Sequence, residues 1–583
     1  MFTTRRFAAL SAALTLGFAA ACGEDSPTEP TPTAVIGVSV TSTNTSTAKV
    51  TFNSHAGDNS YNIERAEGAA GQFSQIGNKP APATVGAVTF DDSGLKPNTL
   101  YRYRVITVIG TKTSTPSSEA SVTTKPLGFA LADLTTDITQ NRTLTSDTTY
   151  TLKGFIHVAN GATLKIEPGT TIKGDFNTVG SSLFILRGAK IDAQGTADRP
   201  IVFTSSQDVG NRKPGDWGGL VIVGNAPSSR SGNVIIEGTG TEAGGGSGKN
   251  YEVTYSGGTT ATDNSGIMSY VRVEFAGYAP SKDFELNSFT FAAVGSGSRF
   301  SYLQSLGGLD DAFEFFGGGF DADHLVAYET GDDMFDMSEG FVGRLQYLIG
   351  YSSAQLTPRT GAGSLATDLE GIENDGCNGP GCDNGFNQQP FTVPVVANFT
   401  LVGCGSMTCV GSSGGFGMML RRGTGGYYVN GVISRFPAAG VSVRDENTFV
   451  RAGSAGTPDL ATADFAVRNV YFTELGGPMF QANTATPANQ FVFDAAGNSL
   501  TAGTALSTAL FTAIPAVGTS PANIGALDWT PVAGSAIATG GMPTFGGKLA
   551  TKAGTVVTGT TYVGAAAPGG AKWWAGWTAY ARN

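Results

Sequence analysis

Asp310-Asp311-Ala312-Phe313-Glu314-Phe315-Phe316-Gly317-Gly318 is answered, 22 residues on, by Asp332-Asp333-Met334-Phe335-Asp336-Met337-Ser338-Glu339-Gly340. Leu303 likewise returns as Leu325, and Ala327 as Ile349. A self-similar step of about 20–29 residues marks a solenoid, whose coils cannot each bury an apolar face alone and must stack. Within the step apolar and polar residues alternate, which is the spacing of a strand. The segment therefore predicts an all-β chain built around a parallel β-helix.

The rest of the composition agrees. A chain of 583 residues is too long for one core, so two or more domains are expected. Gly 82 and 14% charged residues point to turn-rich β-structure, while 40% hydrophobic residues and 35 Phe argue against disorder. A net charge of −11 excludes nucleic acid and anionic membrane surfaces as expected partners. Cations and neutral glycans remain compatible with it.

Between Ser301 and Gly343 stand ten carboxylates and no Lys or Arg. If Phe313/Phe335 and Phe315/Met337 stack inward, alternation sends Glu314 and Asp336 out on one face, one strand spacing of about 4.8 Å apart. Like charges that close raise a carboxylate pKa unless a cation neutralises them. Calcium, which takes six to eight oxygen ligands, is the natural ion, with Asp310, Asp311, Glu314, Asp332, Asp333 and Asp336 as candidate ligands. The competing explanation makes Asp310-Asp311 and Asp332-Asp333 turn formers whose side chains bond backbone amides at coil corners. A second acidic group, Asp368, Glu370, Glu373, Asp375 and Asp383, reads as a solvated loop or another cation site, with the loop favoured.

The N-terminus carries an address. Arg5-Arg6 precede an apolar run, Phe7 to Ala21, too short to span a bilayer as a mature helix. The run ends Ala19-Ala20-Ala21-Cys22, which resembles the bacterial lipobox, although Ala19 stands where that motif usually has Leu. The resemblance implies a lipid on Cys22, attachment to a membrane through it, and an outer-membrane protein facing the exterior. Ala8 departs from the twin-arginine motif, so the general secretory route is expected. An ordinary secretory signal with an incidental cysteine is the alternative. Removing Cys22 leaves Cys377, Cys382, Cys404 and Cys409, two C-x4-C pairs whose three possible pairings stay open. Disulfides fit an oxidising exterior better than zinc held by four thiolates.

Gly23 to Thr33 is a Pro-rich tether. Short alternating strands then follow from about Ala34 to Lys125, among them Ala48-Lys49-Val50-Thr51-Phe52 and Tyr61-Asn62-Ile63-Glu64-Arg65. Leu95-Lys96-Pro97-Asn98-Thr99-Leu100-Tyr101-Arg102-Tyr103-Arg104-Val105 resembles the L-x-P-x-T-x-Y-x-x-x-V strand of fibronectin type III domains. That resemblance places Tyr101 at the tyrosine corner, with Phe52 where the family has a core Trp. After Pro126, Gly161 to Gly174, Leu183 to Ile191 and Asp216 to Val223 resemble the first coils of right-handed parallel β-helix surface proteins of Gram-negative bacteria, many of them lipoproteins. Gly371-Ile372-Glu373-Asn374-Asp375, Leu420-Arg421-Arg422-Gly423-Thr424, Tyr562-Val563-Gly564 and Gly576-Trp577-Thr578 extend the likeness. The resemblance implies fold and address and carries no settled activity.

The expected organisation is therefore a signal peptide (1–22), a tether (23–33), a fibronectin type III-like β-sandwich (34–125), a right-handed parallel β-helix (130–480), and C-terminal coils with a cap (481–583). Thr501 to Ala513 reads as a short helix. Trp573, Trp574 and Trp577 read as part of the cap, with a sugar-stacking platform as the alternative. The functional expectation is a non-enzymatic surface protein binding a glycan or another surface protein on a solenoid flank, or a purely structural or adhesive element. The enzymatic alternative is a polysaccharide hydrolase or lyase using Asp332 and Asp333. Gly331-Asp332-Asp333 resembles the G-D-D segment of polygalacturonase-type glycoside hydrolases, and paired carboxylates are what glycoside hydrolysis needs. That family's G-H-G turn and R-x-K segment are missing, for His55, His157 and His324 stand in no such turn.

Overall fold

In the computed structural model, which describes residues 30–240, 252–280, 284–453, 456–482 and 494–582, the alternating stretches are strands. Cys22, the signal peptide and most of the tether lie outside the described residues. Among the described residues no helix is long and apolar enough to cross a membrane. The chain divides into two compact units, Met1–Lys125 and Pro126–Asn583.

The first unit is a fibronectin type III-like sandwich of antiparallel sheets. Ser39–Thr41, Thr47–Asn53 and Ala87–Ser93 form one; Ser74–Pro80, Ser60–Glu67 and Leu100–Ile109, with two short edge strands, form the other. Leu100–Ile109 buries every second side chain, Tyr101, Tyr103 and Val105 among them. That is how a period of two lets one face dry while the other stays wet. The Tyr101 hydroxyl accepts from the Lys96 amide at 2.9 Å, closing the expected corner. Phe52 fills the core position and meets Tyr61 edge-on at 4.9 Å.

In the second unit the first coils contribute three short strands each, the coils from Gly266–Glu274 onward a short and a long one, and successive coils pair in parallel. Phe313–Phe316 pairs with Phe335–Ser338, and Asp321–Tyr328 with Arg344–Tyr351. The two resulting long sheets are the walls of a parallel β-helix. Its core is a stack of aromatic rings: Phe289, Phe313 and Phe335 follow one another at 5.0 and 5.4 Å, and Phe291 lies 5.6 Å from Phe315. The 22-residue step holds from Leu303 to Leu325 but lengthens by one afterwards, so Ile349 lies beside Val326, and Ala327 faces Gly350. The extra residue sits in the turn before Arg344, where a loop absorbs it without shifting the strand face.

Each long strand bends at one residue with positive φ. Tyr270, Tyr302, His324, Tyr347, Asn398, Asn430 and Asn469 occupy that corner, with φ between 51° and 64°. The left-handed conformation turns the coil, and stacking offsets its strain: Tyr270, Tyr302, His324 and Tyr347 lie ring on ring at 4.3, 4.3 and 4.9 Å.

The C-terminal segment departs from expectation. Thr501 to Ala513 is not one helix: it splits into strand Thr501–Ala502, a four-residue helix Ser507–Leu510 and strand Phe511–Ala513. Gly503, Thr504 and Thr508 offer weak helix propensity, and burial of Leu510 and Phe511 against the β-helix wins. The segment then runs back along the outer face of the long-strand sheet. Met542 N bonds Asn430 Oδ1 at 2.7 Å, Thr558 N bonds Gln346 Oε1 at 3.1 Å, and Ala579 N bonds Gln304 Oε1 at 2.8 Å, so the contacts descend the helix as the chain advances. Trp574 and Trp577 are buried against this flank with Trp529, Tyr328 and Tyr351, and Trp573 packs beside them. They cover a side of the solenoid rather than its last coil; Trp574 and Trp577 are buried and offer no face to a sugar, while Trp573 is half-buried.

Candidate functional site

The outer face of the short-strand sheet is where the acids gather. Thr290, Glu314, Asp336, Glu373 and Met419 are direct neighbours on five successive coils. Glu314 and Asp336 point outward as alternation requires, since Phe313, Phe315, Phe335 and Met337 point in. Two walls turn this face into a cleft of about 940 Å³. The long connection 224–265 brings Glu237 to one side, and the loop 361–368 brings Ser364, Thr367 and Asp368 to the other.

Of the ten carboxylates between Ser301 and Gly343, three are ion-paired and a fourth is held by hydroxyl groups. Asp321 pairs with Arg344, Asp323 with Arg299 and Glu339 with Arg230, while Glu329 accepts from Ser353 and Tyr580 at 2.5 Å each. The six others, Asp310, Asp311, Glu314, Asp332, Asp333 and Asp336, form no ion pair with Lys or Arg among the described residues. These are the six expected cation ligands.

The turn-former explanation holds for two of them. Asn287 Oδ1 accepts from the Asp311 amide at 3.1 Å, Asp311 Oδ1 from the Asp333 amide at 2.8 Å, Asp333 Oδ1 from the Glu370 amide at 2.6 Å, and Glu370 Oε2 from the Phe416 amide at 2.6 Å. One side-chain oxygen per coil thus stitches each corner to the next. Asp310 and Asp332, one residue earlier, line the cleft together with Asp311.

The carboxylates of this face lie close together. Asp310, Asp311 and Asp332 form one trio, Asp311, Glu314 and Asp336 a second, and Asp333, Asp336 and Glu373 a third, with one oxygen per residue inside 4.8 Å of the others. Two oxygens bound to one calcium at about 2.3–2.6 Å lie at most about 5 Å apart, so each trio fits a shared ion. Among the described residues Asp336 Oδ1 and Glu370 Oε1 are buried without a hydrogen-bond partner, and Glu370 is 0% exposed. A buried carboxylate oxygen left so is costly unless a proton or a cation meets it.

Burial, and next the neighbouring carboxylates, hold Asp310, Asp311, Glu314, Asp332, Asp333 and Glu373 well above the usual carboxylate range. Asp336 is raised by burial and Asp375, against the opposing pull of Arg421 and Arg422. Glu237, buried beside Glu285, is pushed up to about 8.

The second acidic group is not a solvated loop. Ile372–Asp375 is a strand of the same sheet, buried throughout, and Glu373 continues the acid face. Asp368 and Asp383 keep to loops, and Ser231 Oγ donates to Asp383 at 2.6 Å. Glu373 and Asp375 meet cations that lie far away in sequence: Arg421 bonds both, its Nε 2.9 Å from Asp375 Oδ1, and Arg422 also reaches Asp375. Arg421 and Arg444, with Asp368, Ser413 and Met419, close the far end of the cleft. Glu237, Glu285, Arg421, Arg422 and Arg444 escaped the reading of the acidic segment. The Ile372 to Asp375 and Leu420 to Thr424 motifs were the available signal, for they supply Glu373, Asp375, Arg421 and Arg422.

Both C-x4-C pairs close on themselves, Cys377 with Cys382 and Cys404 with Cys409, which uses the thiols zinc would need. His324 lies under Trp573 within the stacked corner, on the long-strand sheet rather than in the acid cleft.

Among solved structures, the chain is similar to titin domains A168–A170 (21% identity over 17% of this chain and 33% of that one, TM-score 0.15). It is also similar to an Fn3-like protein from Clostridium thermocellum (27% identity, 16% of this chain, 92% of that one, TM-score 0.14) and to a human FNIII domain (21% identity, 18% and 91%, TM-score 0.16). The chain thus spans about a third of the titin fragment and nearly all of the two single domains. No curated protein matches it. The model of the pectate-lyase-like β-helix domain matches residues 136–514, well over half of the sequence and all of the acid cleft, and the chain belongs to that family.

Proposed function

We propose that this is a surface protein whose β-helix holds calcium in the acid cleft and, through it, binds an extended anionic glycan. One observation carries the reading: three overlapping trios of carboxylate oxygens on adjacent coils, each inside 4.8 Å. Bound calcium keeps open coordination positions for water or ligand oxygens. A solenoid repeats such positions along a line, which suits a polymer.

A second reading, calcium-assisted elimination from a uronate, draws support from the arginines at the far end of the cleft. Arg421 suits it poorly, because Asp375 and Glu373 raise its pKa and hold it protonated. Burial lowers the pKa of Arg444, which makes it the residue to test. The test is retention on immobilised plant, algal and bacterial polysaccharides with and without calcium, followed by assay of reducing ends and unsaturated uronates. The expected result is calcium-dependent retention with polymer length unchanged. Turnover that disappears in Arg444→Ala or Asp332→Asn would replace binding with catalysis.

The proposed location is the outer membrane, facing the exterior, with the lipid on Cys22. Its support is the apolar run ending in small residues and a cysteine. Cys22→Ser should move the protein from the membrane fraction to the soluble exported fraction; unchanged fractionation would sink the anchor.

A further inference from the structure

Sharing Glu237 with the acid cleft is a second cavity of about 430 Å³. The connection 224–265 creates it. Ile236, Val253 and Tyr255 of that connection pack on Phe155, Val221 and Val223, which roofs the outer face of the sheet one step along from the acids. The Tyr255 and Phe316 rings lie 5.5 Å apart at an angle of 32°, and Phe284, 41% exposed, stands on the rim. At the far end Arg230 Nε donates to Glu339 at 2.6 Å, and the Tyr255 hydroxyl donates to the same carboxylate.

The charges decide what this cavity takes. Its guanidinium is already matched by Glu339, and Glu237 adds a further carboxylate at the boundary. An anionic ring entering here finds no unmatched cation among the lining residues, whereas the aromatic faces suit the apolar face of a neutral ring. The volume falls within the roughly 300–1,000 Å³ of small-ligand pockets. Continuity through Glu237 lets a polymer held in the acid cleft extend into this cavity. We propose that the cavity formed by Arg230, Tyr255, Phe284, Phe316 and Glu339 binds one uncharged sugar ring of the glycan whose neighbouring acidic ring is held through calcium. The ligand class is thereby narrowed to an acidic glycan in which charged and uncharged residues adjoin. This rests on the calcium-cleft reading above.

The experiment uses the exported full chain in calcium and two oligosaccharides of equal length, one of uronate only and one alternating uronate with neutral hexose. Calorimetry should give at least tenfold tighter binding of the alternating oligomer. Phe284→Ala, at a partly exposed rim position that does not threaten the fold, should remove that preference and leave the calcium-induced rise in melting temperature intact. Equal or tighter binding of the uronate oligomer overturns the proposal, as does a preference that survives Phe284→Ala. If neither oligomer binds while calcium still raises the melting temperature, the neutral-ring site falls and the cation site stands. If calcium has no effect on the wild-type melt, the underlying reading fails instead.

Discussion

Stripped of calcium, the protein should melt below its calcium-loaded form, and the gap should widen as pH rises from 5 to 8. The acids of the cleft have folded-state pKa values raised by burial and by each other, while in the unfolded chain they ionise near pH 4. The folded state therefore holds more protons than the unfolded one across that interval. Stability is fully present below the unfolded pKa and is lost as pH climbs through the folded values, with Glu237 still titrating near 8. Calcium replaces those protons and removes the loss. A ligand at a hundredfold excess over its Kd stabilises by about 2.7 kcal/mol per site. A unit of this size has an unfolding entropy of about 1 kcal/mol/K, so each ion should raise Tm by about 3 °C. Asp332→Asn should act in opposite directions, raising the stripped Tm at pH 8 by removing one repelled charge and lowering the calcium gain. Thermal melts at pH 5 and 8, with chelator or calcium, decide this. Melts indifferent to chelator at both pH values would leave the acids as corner residues only.

What the chain discloses in sequence is what repeats locally. The step from Asp310 to Asp332, the alternation of Phe313, Glu314 and Phe315, and the strand around Tyr101 are short-range patterns, because strand period and stacking act between near neighbours. The division of labour inside each Asp-Asp pair was not visible. Alternation places one aspartate toward the next coil's amide, and only the backbone path fixes which. The walls were also hidden. Glu237 reaches the cleft from a connection with no periodicity, and Arg421 from two coils beyond Asp336. The corner residues escaped for another reason: Tyr, His and Asn share one conformation without sharing chemistry, so no residue pattern marks them. For the C-terminal tryptophans, burial was foreseeable from their size, but the surface they cover was not.

Phe315→Ala should connect the core to the cleft more directly than any change at the acids. Phe315 is fully buried between Phe291, Phe320 and Phe341, with ring centroids at 5.6, 5.7 and 5.0 Å. Emptying such a site costs about 3–5 kcal/mol. At an unfolding entropy of about 1 kcal/mol/K the β-helix transition should fall by about 3–5 °C. Glu314 is the preceding residue of the same strand and faces the opposite way, so the ring holds the height at which its carboxylate meets Asp311 and Asp336. A cavity beneath that strand loosens the trio, and an ion that needs oxygens about 2.3–2.6 Å away binds less well to a looser set. Phe203→Ala is the matched control. Phe203 is equally buried and stacks on Trp217, but its strand Ile201–Ser205 carries no cleft carboxylate. Both variants should lose comparable stability, yet only Phe315→Ala should weaken calcium binding in a titration. Equal weakening in both would show that calcium affinity follows general stability, and that the aromatic stack does not set the geometry of the rungs.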